Sequence, residues 1–197
     1  MTKYSHHDHY LDGKTGVLKN KLGITDAALL EKQEAGYATV RSFELAQKPL
    51  KGHFDLRHLK AIHKHLFGDV YSWAGKIRDV DISRGESFFA HHNHIETAAD
   101  KLFRELAEEH YLARLTTAEF SSRAAYYLGE INVLHPFRDG NGRTQREFIN
   151  HLAYKNGLYI DWNHITQEEM IQASIESMKN GDGSKFVEYI RANIRKI

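Results

Sequence analysis

Residues 135–146 read HPFRDGNGRTQR, and this stretch joins two patterns typical of helices. A capping box marks a helix start at Thr116, and apolar residues then recur at three- and four-residue steps. This helix should end at about Leu134, because Pro136 disfavours the helical conformation at His135. A second apolar stripe at helical spacing follows the stretch. The sequence therefore predicts a helix, a tight loop and another helix.

The loop, residues 138–142, has the features of an anion site. Free backbone N–H groups and about half a positive charge face outward at a helix N-terminus. Gly140 and Gly142 lack a Cβ, so the chain can form an anion-binding nest there. Arg143 and Arg146 open the second helix, where their charges oppose the helix dipole unless an anion offsets them. Guanidinium groups match phosphate oxygens in a bidentate way, which favours a nucleotide triphosphate as that anion.

The same loop carries groups for chemistry on a phosphate. Asp139 supplies a carboxylate, and one or two carboxylates plus substrate phosphates are the usual ligands of Mg²⁺. His135 stands at the loop entrance, and an ordinary imidazole, mostly neutral at pH 7, can accept a proton from an attacking hydroxyl. Asn141 is expected to fix the loop and to donate to a phosphate oxygen. Each feature alone is usually structural, but their combination favours a nucleotide-transfer site.

Over these residues the chain resembles the Fic family, whose signature HPFx(D/E)GNGRxxR is matched in full by residues 135–146. The resemblance implies a protein adenylyltransferase that uses Mg·ATP, moves AMP to a Tyr, Ser or Thr hydroxyl of a target protein and releases pyrophosphate. It implies an all-α fold, a Fic-type bundle of helices with one β-hairpin flap over the active site. The implied roles are catalytic base for His135, Mg²⁺ ligand for Asp139, and ATP binding for Gly140, Asn141, Gly142, Arg143 and Arg146.

Residues 71–92, YSWAGKIRDVDISRGESFFAHH, resemble the Trp-Ala-Gly segment and the flap of that family. Apolar residues alternate with aspartates over 79–82, which predicts a strand, and 88–90 is expected to return as a second strand after a turn. The free edge of such a hairpin can align an extended target segment by strand addition, and an ordinary surface hairpin is the alternative. The predicted target-docking residues are Ile82, Ser83, Arg84, Gly85, Phe88 and Phe89.

The resemblance also predicts a partner. Many members are restrained by an inhibitory helix with the pattern Ser/Thr-x-x-x-Glu-Gly/Asn, whose glutamate pairs with the second arginine of the signature. No glutamate in this chain is followed by Gly or Asn. The chain therefore resembles the bacterial toxin-like branch, in which a separate small antitoxin would supply a glutamate for Arg146. Type II topoisomerase subunits are the first candidate targets, because toxin-like relatives modify them.

Three alternatives remain. A Doc-like kinase would transfer the γ-phosphate instead, but that branch carries a lysine at the position of Gly142. Another nucleotide donor, for a UMP or GMP transferase, is compatible with residues that contact only phosphates. A non-catalytic peptide-binding module would be expected to have lost at least one position of the signature, and none is lost here.

Composition sets the remaining bounds. With 197 residues, 41% of them hydrophobic, the chain suits a single domain over 1–197, with a core at about 10–195 and mobile residues at 1–9. A net charge of +1 gives no polybasic signature for nucleic acid or a membrane surface. There is no apolar run of membrane-spanning length and no secretory pattern, so cytoplasm is the expected location.

Helix signals recur along the whole chain. Together with the two helices around the signature, they predict about seven helices and one hairpin. The other start signals are Thr25 or Asp26, Asp55, the capping-box pairs at Asn93 and Thr166, and Ser184. Two histidine clusters could suggest a transition-metal site, but neither has helical i, i+4 ligand spacing, which favours surface histidines for both. The clusters are His6, His7 and His9, and His91, His92 and His94.

Overall fold

Seven α-helices form most of the structure, in agreement with the helical periodicities. The structure, a computed structural model, describes residues 8–85 and 87–197. Within those ranges the helices are α1 Ala27–Gln47, α2 Leu56–Phe67, α3 Ile95–Glu108, α4 Thr117–Leu134, α5 Asn141–Lys155, α6 Gln167–Asn180 and α7 Ser184–Asn193. None of these helices has the length and apolar composition that crossing a membrane requires.

The predicted hairpin is present but is shorter and lies later in the chain. Strand β1, Ser83–Arg84, pairs antiparallel with β2, Ser87–Phe88. Residues 79–82, predicted as the first strand, are not a strand, and of the predicted return strand only Phe88 belongs to β2.

A second strand pair was not predicted. Strand β3, Leu158–Ile160, pairs antiparallel with β4, Ile194–Lys196. The pair connects the chain just after α5 to the segment just after α7. Each strand has three residues, which is too short for the alternation of apolar and polar residues to be recognised in the sequence.

Local capping chemistry explains where most helices begin. Asp26 caps α1 and Asp55 caps α2, each through a side-chain oxygen that accepts a backbone N–H. Thr116 and Thr166 form the complete capping boxes that the sequence predicts. The capping box predicted at Asn93 is wrong, because a 3-10 turn over His92–His94 runs directly into α3.

The core is centred on α4 and α5. Helix α4 packs against α3, α5, α6 and α7, whereas α5 packs against α2, α4 and β3. Tyr127 and Leu128 of α4, and Phe148 and Leu152 of α5, are completely buried. Because α4 ends and α5 begins within the same short connection, the packing of these two helices fixes both sides of the signature.

The N-terminal segment joins the core earlier than the predicted boundary at residue 10. Asp8 lies 2.8 Å from Nε of Arg138, and both side chains are almost fully buried. Tyr10 packs edge-on against Trp73, and burial raises the pKa of Tyr10 to about 12. The packed part of the chain therefore includes Asp8, while residues 1–7 lie outside the described residues, and mobility of the N-terminus stays a prediction.

Candidate active site

His135 ends helix α4 in a left-handed conformation. Its φ of 43° and ψ of 59° differ from the extended backbone that Pro136 was expected to impose, although the helix does end at Leu134. For a residue other than glycine this conformation costs about 1 kcal/mol. Two hydrogen bonds hold it: His135 N–H donates to Ile131 O at 3.0 Å, and Arg78 Nε donates to the His135 carbonyl at 2.8 Å.

The hydrogen bonding of His135 indicates its tautomer. Nδ1 lies 3.2 Å from the carbonyl oxygen of Asn132. A carbonyl only accepts, so Nδ1 carries the proton in the neutral ring and Nε2 carries the lone pair. The ring stacks on Phe89 with 3.6 Å between centroids and 17° between planes. The flap thus contacts the predicted base directly.

Arg78 connects the flap to the end of α4, a role that the sequence did not reveal. The side chain is buried, and it donates to the carbonyls of Val80 and Ala90, which flank the hairpin, as well as to that of His135. Burial lowers the pKa of Arg78 to about 10, so it stays protonated at neutral pH. One guanidinium therefore fixes both ends of the flap against the catalytic turn.

The loop requires a glycine at position 140, where it packs against Phe67. Gly140 has a φ of +76°, and a Cβ there would lie 2.4 Å from Cε2 of Phe67. Helix α5 begins at Asn141, two residues before the predicted start at Arg143, so Gly142 is helical. A Cβ at Gly142 would have only an ordinary contact, 3.6 Å from Nη1 of Arg146.

The first turn of α5 presents unused donors. Gly140, the N-cap, offers no side-chain acceptor, so the N–H groups of residues 141–143 have no intrahelical partner. The buried amide of Asn141 accepts from Phe137 N–H at 2.9 Å and donates to Phe137 O at 2.7 Å. Asn141 therefore fixes the loop from below, as predicted, while its side-chain contact with a phosphate stays a prediction.

The exposed Asp139 is held in place through its backbone by the buried His63. Asp139 is exposed, and its Oδ1 accepts from Gly140 N–H at 2.6 Å. The buried His63 accepts from Gly75 N–H through Nδ1 at 2.8 Å, so its Nε2 donates to the Asp139 carbonyl at 3.0 Å. Burial lowers the pKa of His63 to about 3, which keeps the ring neutral. The Trp-Ala-Gly segment thereby supports the loop.

The two signature arginines have different surroundings. Arg143 pairs with the buried Glu34 of α1, and its guanidinium lies 4.6 Å from the centre of the Phe67 ring. Glu34 also accepts from Tyr71 OH at 2.5 Å, and burial together with this carboxylate raises the pKa of Tyr71. The sequence did not predict Glu34, since a lone glutamate within a helix carries no signal.

Arg146 has no such partner. No hydrogen bond or ion pair joins it to another residue within 8–85 and 87–197. Burial, and then repulsion from Arg143, lower its pKa. Burial also raises the pKa of the neighbouring Glu147, while the charge of Arg146 lowers it. Arg146 is thus a partly desolvated cation that forms no ion pair with another described residue, although the charge of Glu147 attracts it.

A cavity of about 790 Å³ lies between α1, α6, the flap and the start of α5. It brings together every predicted catalytic, ATP-binding and metal-binding residue. Four predicted flap residues line it as well, whereas Gly85 is exposed outside the lining and Phe88 has 80% of its surface exposed. The lining from the signature and the flap is Ile82, Ser83, Arg84, Ser87, Phe89, His135, Arg138, Asp139, Gly140, Asn141, Gly142, Arg143, Gln145 and Arg146.

A helical bundle whose central turn bears this signature defines a known class, and comparisons with known proteins agree. The model of the Fic/DOC family matches residues 53–153. The chain belongs to this family. It is 51% identical over 195 residues to the protein adenylyltransferase VbhT of Bartonella schoenbuchensis, covering 98% of this chain and 41% of VbhT. It is 39% identical over 168 residues to the probable protein adenylyltransferase Fic of Escherichia coli, covering 85% of this chain and 82% of that protein.

Solved structures share the fold. BepC from Bartonella tribocorum, a VirB-translocated effector protein with bound AMPPNP, has a TM-score of 0.88 at 28% identity, covering 95% of this chain and 97% of BepC. An N-terminal Fic domain from Bartonella quintana with bound ADP also has a TM-score of 0.88, at 30% identity, covering 95% of this chain and 94% of that domain. The predicted all-α Fic fold is confirmed. The chain spans about two-fifths of the length of VbhT.

Proposed function

We propose that the chain is a protein adenylyltransferase that transfers AMP from ATP to a hydroxyl group of a target protein. Arg146 carries this proposal, because a partly buried guanidinium that forms no ion pair with another described residue faces a cavity beside a helix N-terminus. Such a site favours an anion. The cavity of about 790 Å³ is in the range of ligand sites that hold a nucleotide.

The polyphosphate would lie over the first turn of α5. Free N–H groups of residues 141–143 would donate to its oxygens, and Arg146 would bind the far phosphate in a bidentate way. The Glu34 carboxylate, already bound to Arg143, would keep that guanidinium at the edge of the loop. The adenosine end would then extend along the cavity towards α6.

His135 would act as the general base. Its Nε2 takes the proton of the target hydroxyl while the hydroxyl oxygen bonds to the α-phosphorus. The bond between that phosphorus and the bridging oxygen breaks, and pyrophosphate leaves with the electron pair. The fixed donors of α5 and Arg146 stabilise charge on the leaving group without reorganisation.

Asp139 is the residue suited to hold Mg²⁺. An exposed carboxylate at the cavity edge, next to where the phosphates would lie, matches the usual ligand set of this ion. Bound Mg²⁺ would supply neutralisation of phosphate charge. Asp139→Ala should remove the extra thermal stabilisation that Mg·ATP gives over ATP alone, because only the metal-dependent part of binding is lost.

The flap would hold the target. Ile82, Ser83, Arg84 and Phe89 line the cavity, and Gly85 and Phe88 extend the same hairpin outward. Each of the two flap strands has one edge that is not paired within the hairpin, and such an edge can accept an extended segment of the target. A hydroxyl on that segment would come close to His135, which Phe89 contacts.

A separate antitoxin is the partner that fits Arg146. One glutamate inserted into the cavity would form a charge-assisted pair with this guanidinium and compete with the nucleotide. The chain would then act as the toxin of a toxin–antitoxin pair in the cytoplasm. Type II topoisomerase subunits are the first targets to test.

Label transfer tests the proposed activity. The chain is incubated with a bacterial lysate and ATP labelled at the α-phosphate, and a labelled protein band is expected. His135→Ala should abolish the band, whereas His164→Ala, an exposed histidine outside the cavity, should leave it unchanged. Transfer of γ-label instead would contradict adenylylation and support the Doc-like kinase.

A further inference from the structure

Three side chains with metal-ligating atoms meet at the base of the flap, outside the proposed active site. Asp81 precedes β1, and His91 and His92 follow β2. His91 Nε2 lies 3.2 Å from one carboxylate oxygen of Asp81, and His92 Nδ1 lies 3.0 Å from the other. The two imidazoles stack with 4.5 Å between centroids, and all three ligand atoms lie within 4.8 Å of one another.

We propose that Asp81, His91 and His92 bind a divalent transition-metal ion, with Zn²⁺ as the best match. Zn–N and Zn–O bonds of about 2.0–2.1 Å in a tetrahedron place neighbouring ligand atoms about 3.4 Å apart. Each imidazole nitrogen lies close to this distance from one oxygen of Asp81, although the two oxygens differ. A set of two imidazoles and one carboxylate suits transition-metal ions better than it suits Mg²⁺ or Ca²⁺, which take oxygen ligands.

The surroundings hold the carboxylate ready. Backbone N–H of His92 donates to Asp81 Oδ1 at 2.9 Å, so the aspartate is oriented before any ion binds. Arg78 Nη1 lies 3.7 Å from the same oxygen and weakens the attraction for a cation. Asn93 N–H donates to His91 Nδ1 over a long 3.3 Å, and metal binding at Nε2 exchanges this contact for a proton on Nδ1. The nearby guanidinium predicts a moderate affinity.

Metal binding would stiffen the flap. The hairpin has only two residue pairs, and such a short two-stranded element is marginally stable by itself. An ion that joins residue 81 to residues 91 and 92 closes the loop at its base. The site therefore offers control of the flap that does not depend on the chemistry proposed for His135.

Zinc binding to the whole metal-stripped chain tests the site. Titration calorimetry with ZnCl₂ at pH 7.5 should give one ion per chain, and Asp81→Asn or His91→Ala should weaken binding by about tenfold or more. Hydrogen exchange should show slower exchange of backbone amides in the flap when Zn²⁺ is added. His164→Ala, whose imidazole faces Asp161 without a second histidine ligand, is the matched control and should bind zinc normally.

The other histidine cluster is removed separately. A chain with His6, His7 and His9 replaced by alanine should still bind one ion. The proposal is overturned if zinc does not bind, if binding survives both Asp81→Asn and His91→Ala, or if it disappears only in the variant that lacks the three N-terminal histidines. Circular dichroism of each variant separates loss of the ligand from loss of the fold.

Discussion

Gly140 is the residue whose replacement the loop tolerates least. A methyl group there would meet the Phe67 ring at 2.4 Å in a left-handed backbone. The conformational cost of about 1 kcal/mol and an overpacking cost of about 1–3 kcal/mol should together lower the free energy of unfolding by about 2–4 kcal/mol in Gly140→Ala. Urea denaturation measures the difference.

Gly142→Ala is the matched control. The residue is helical and has room for a Cβ, so the free energy of unfolding should stay the same or increase slightly. Its substitution should instead weaken nucleotide binding, because the free face of the glycine is where a phosphate would approach. Equal destabilisation by the two substitutions would contradict the packing at Gly140.

The neutral His63 joins Gly75 N–H to the Asp139 carbonyl through its two ring nitrogens. His63→Phe keeps the stacking on Phe137 but leaves Gly75 N–H and the Asp139 carbonyl without their partner. Losing both buried hydrogen bonds should cost about 2 kcal/mol or more. Because the lost support lies behind Asp139, the Mg²⁺-dependent part of the thermal shift with ATP should also shrink, which a purely structural role would not cause.

His65→Ala is the comparison for His63. It lies on the same helix two residues after His63, on a different face, and is partly exposed beside Glu44. It should change neither stability by more than about 0.5 kcal/mol nor the effect of Mg²⁺. His63→Gln, which can still donate and accept, should recover part of the loss. If the Mg²⁺-dependent thermal shift is unchanged in His63→Phe, His63 does not support Asp139.

At the scale of single elements, the flap depends on Arg78. Lysine at this position keeps a charge but cannot reach the carbonyls of Val80, Ala90 and His135 together, because the planar fork is lost. Arg78→Lys should therefore lower the free energy of unfolding by about 2 kcal/mol and slow label transfer. Arg57→Lys, an exposed position on α2, should have no effect on either measurement. Unchanged transfer in Arg78→Lys would show that the flap is held by other contacts.

Sequence reasoning succeeded where the determinants are local. Thr116 and Thr166 carry their capping partners three residues away, so their helices could be predicted from short patterns. The strand bounds predicted for the hairpin were wrong, and the carbonyls of Val80 and Ala90, which flank it, bind the Arg78 guanidinium. In the sequence, the alternation over 79–82 looks the same whether hydrogen bonds come from a strand or from one buried guanidinium.

The candidate site divides in the same way. All residues of the signature could be predicted, because their types and spacing lie within one short stretch. Glu34, Arg78 and His63 were missed, since each reaches the loop from a different helix or connection. Their roles depend on burial and on partners that are between 57 and 109 residues away in the chain. Only the packed structure brings these partners together.

At the scale of the whole molecule, buried histidines connect pH to folding. His58 and His151 lie between α2 and α5, with 3.2 Å between their facing nitrogens. Burial lowers the pKa of His58, and it lowers the pKa of His151 to about 4 and that of His63 to about 3. His63 and His151 therefore stay neutral in the folded chain down to about pH 4, and His58 is harder to protonate there than in the unfolded chain, where each ring takes up a proton near pH 6.5. The unfolded state therefore binds more protons below that pH.

The chain should consequently lose stability as pH falls from about 6.5 towards 4, at about 1.4 kcal/mol per pH unit each for His63 and His151, and His58 acts in the same direction. Above pH 6.5 neither state binds these protons, so this part of the stability is constant. Urea denaturation at pH 7.5, 6.0 and 5.0 measures the slope before most carboxylates titrate. His151→Asn should reduce the slope by the share of one histidine because nothing is left to protonate at that position, while the exposed His164→Ala should leave it unchanged. A slope that stays the same in His151→Asn would mean that the His58 and His151 pair is accessible to protons in the folded chain.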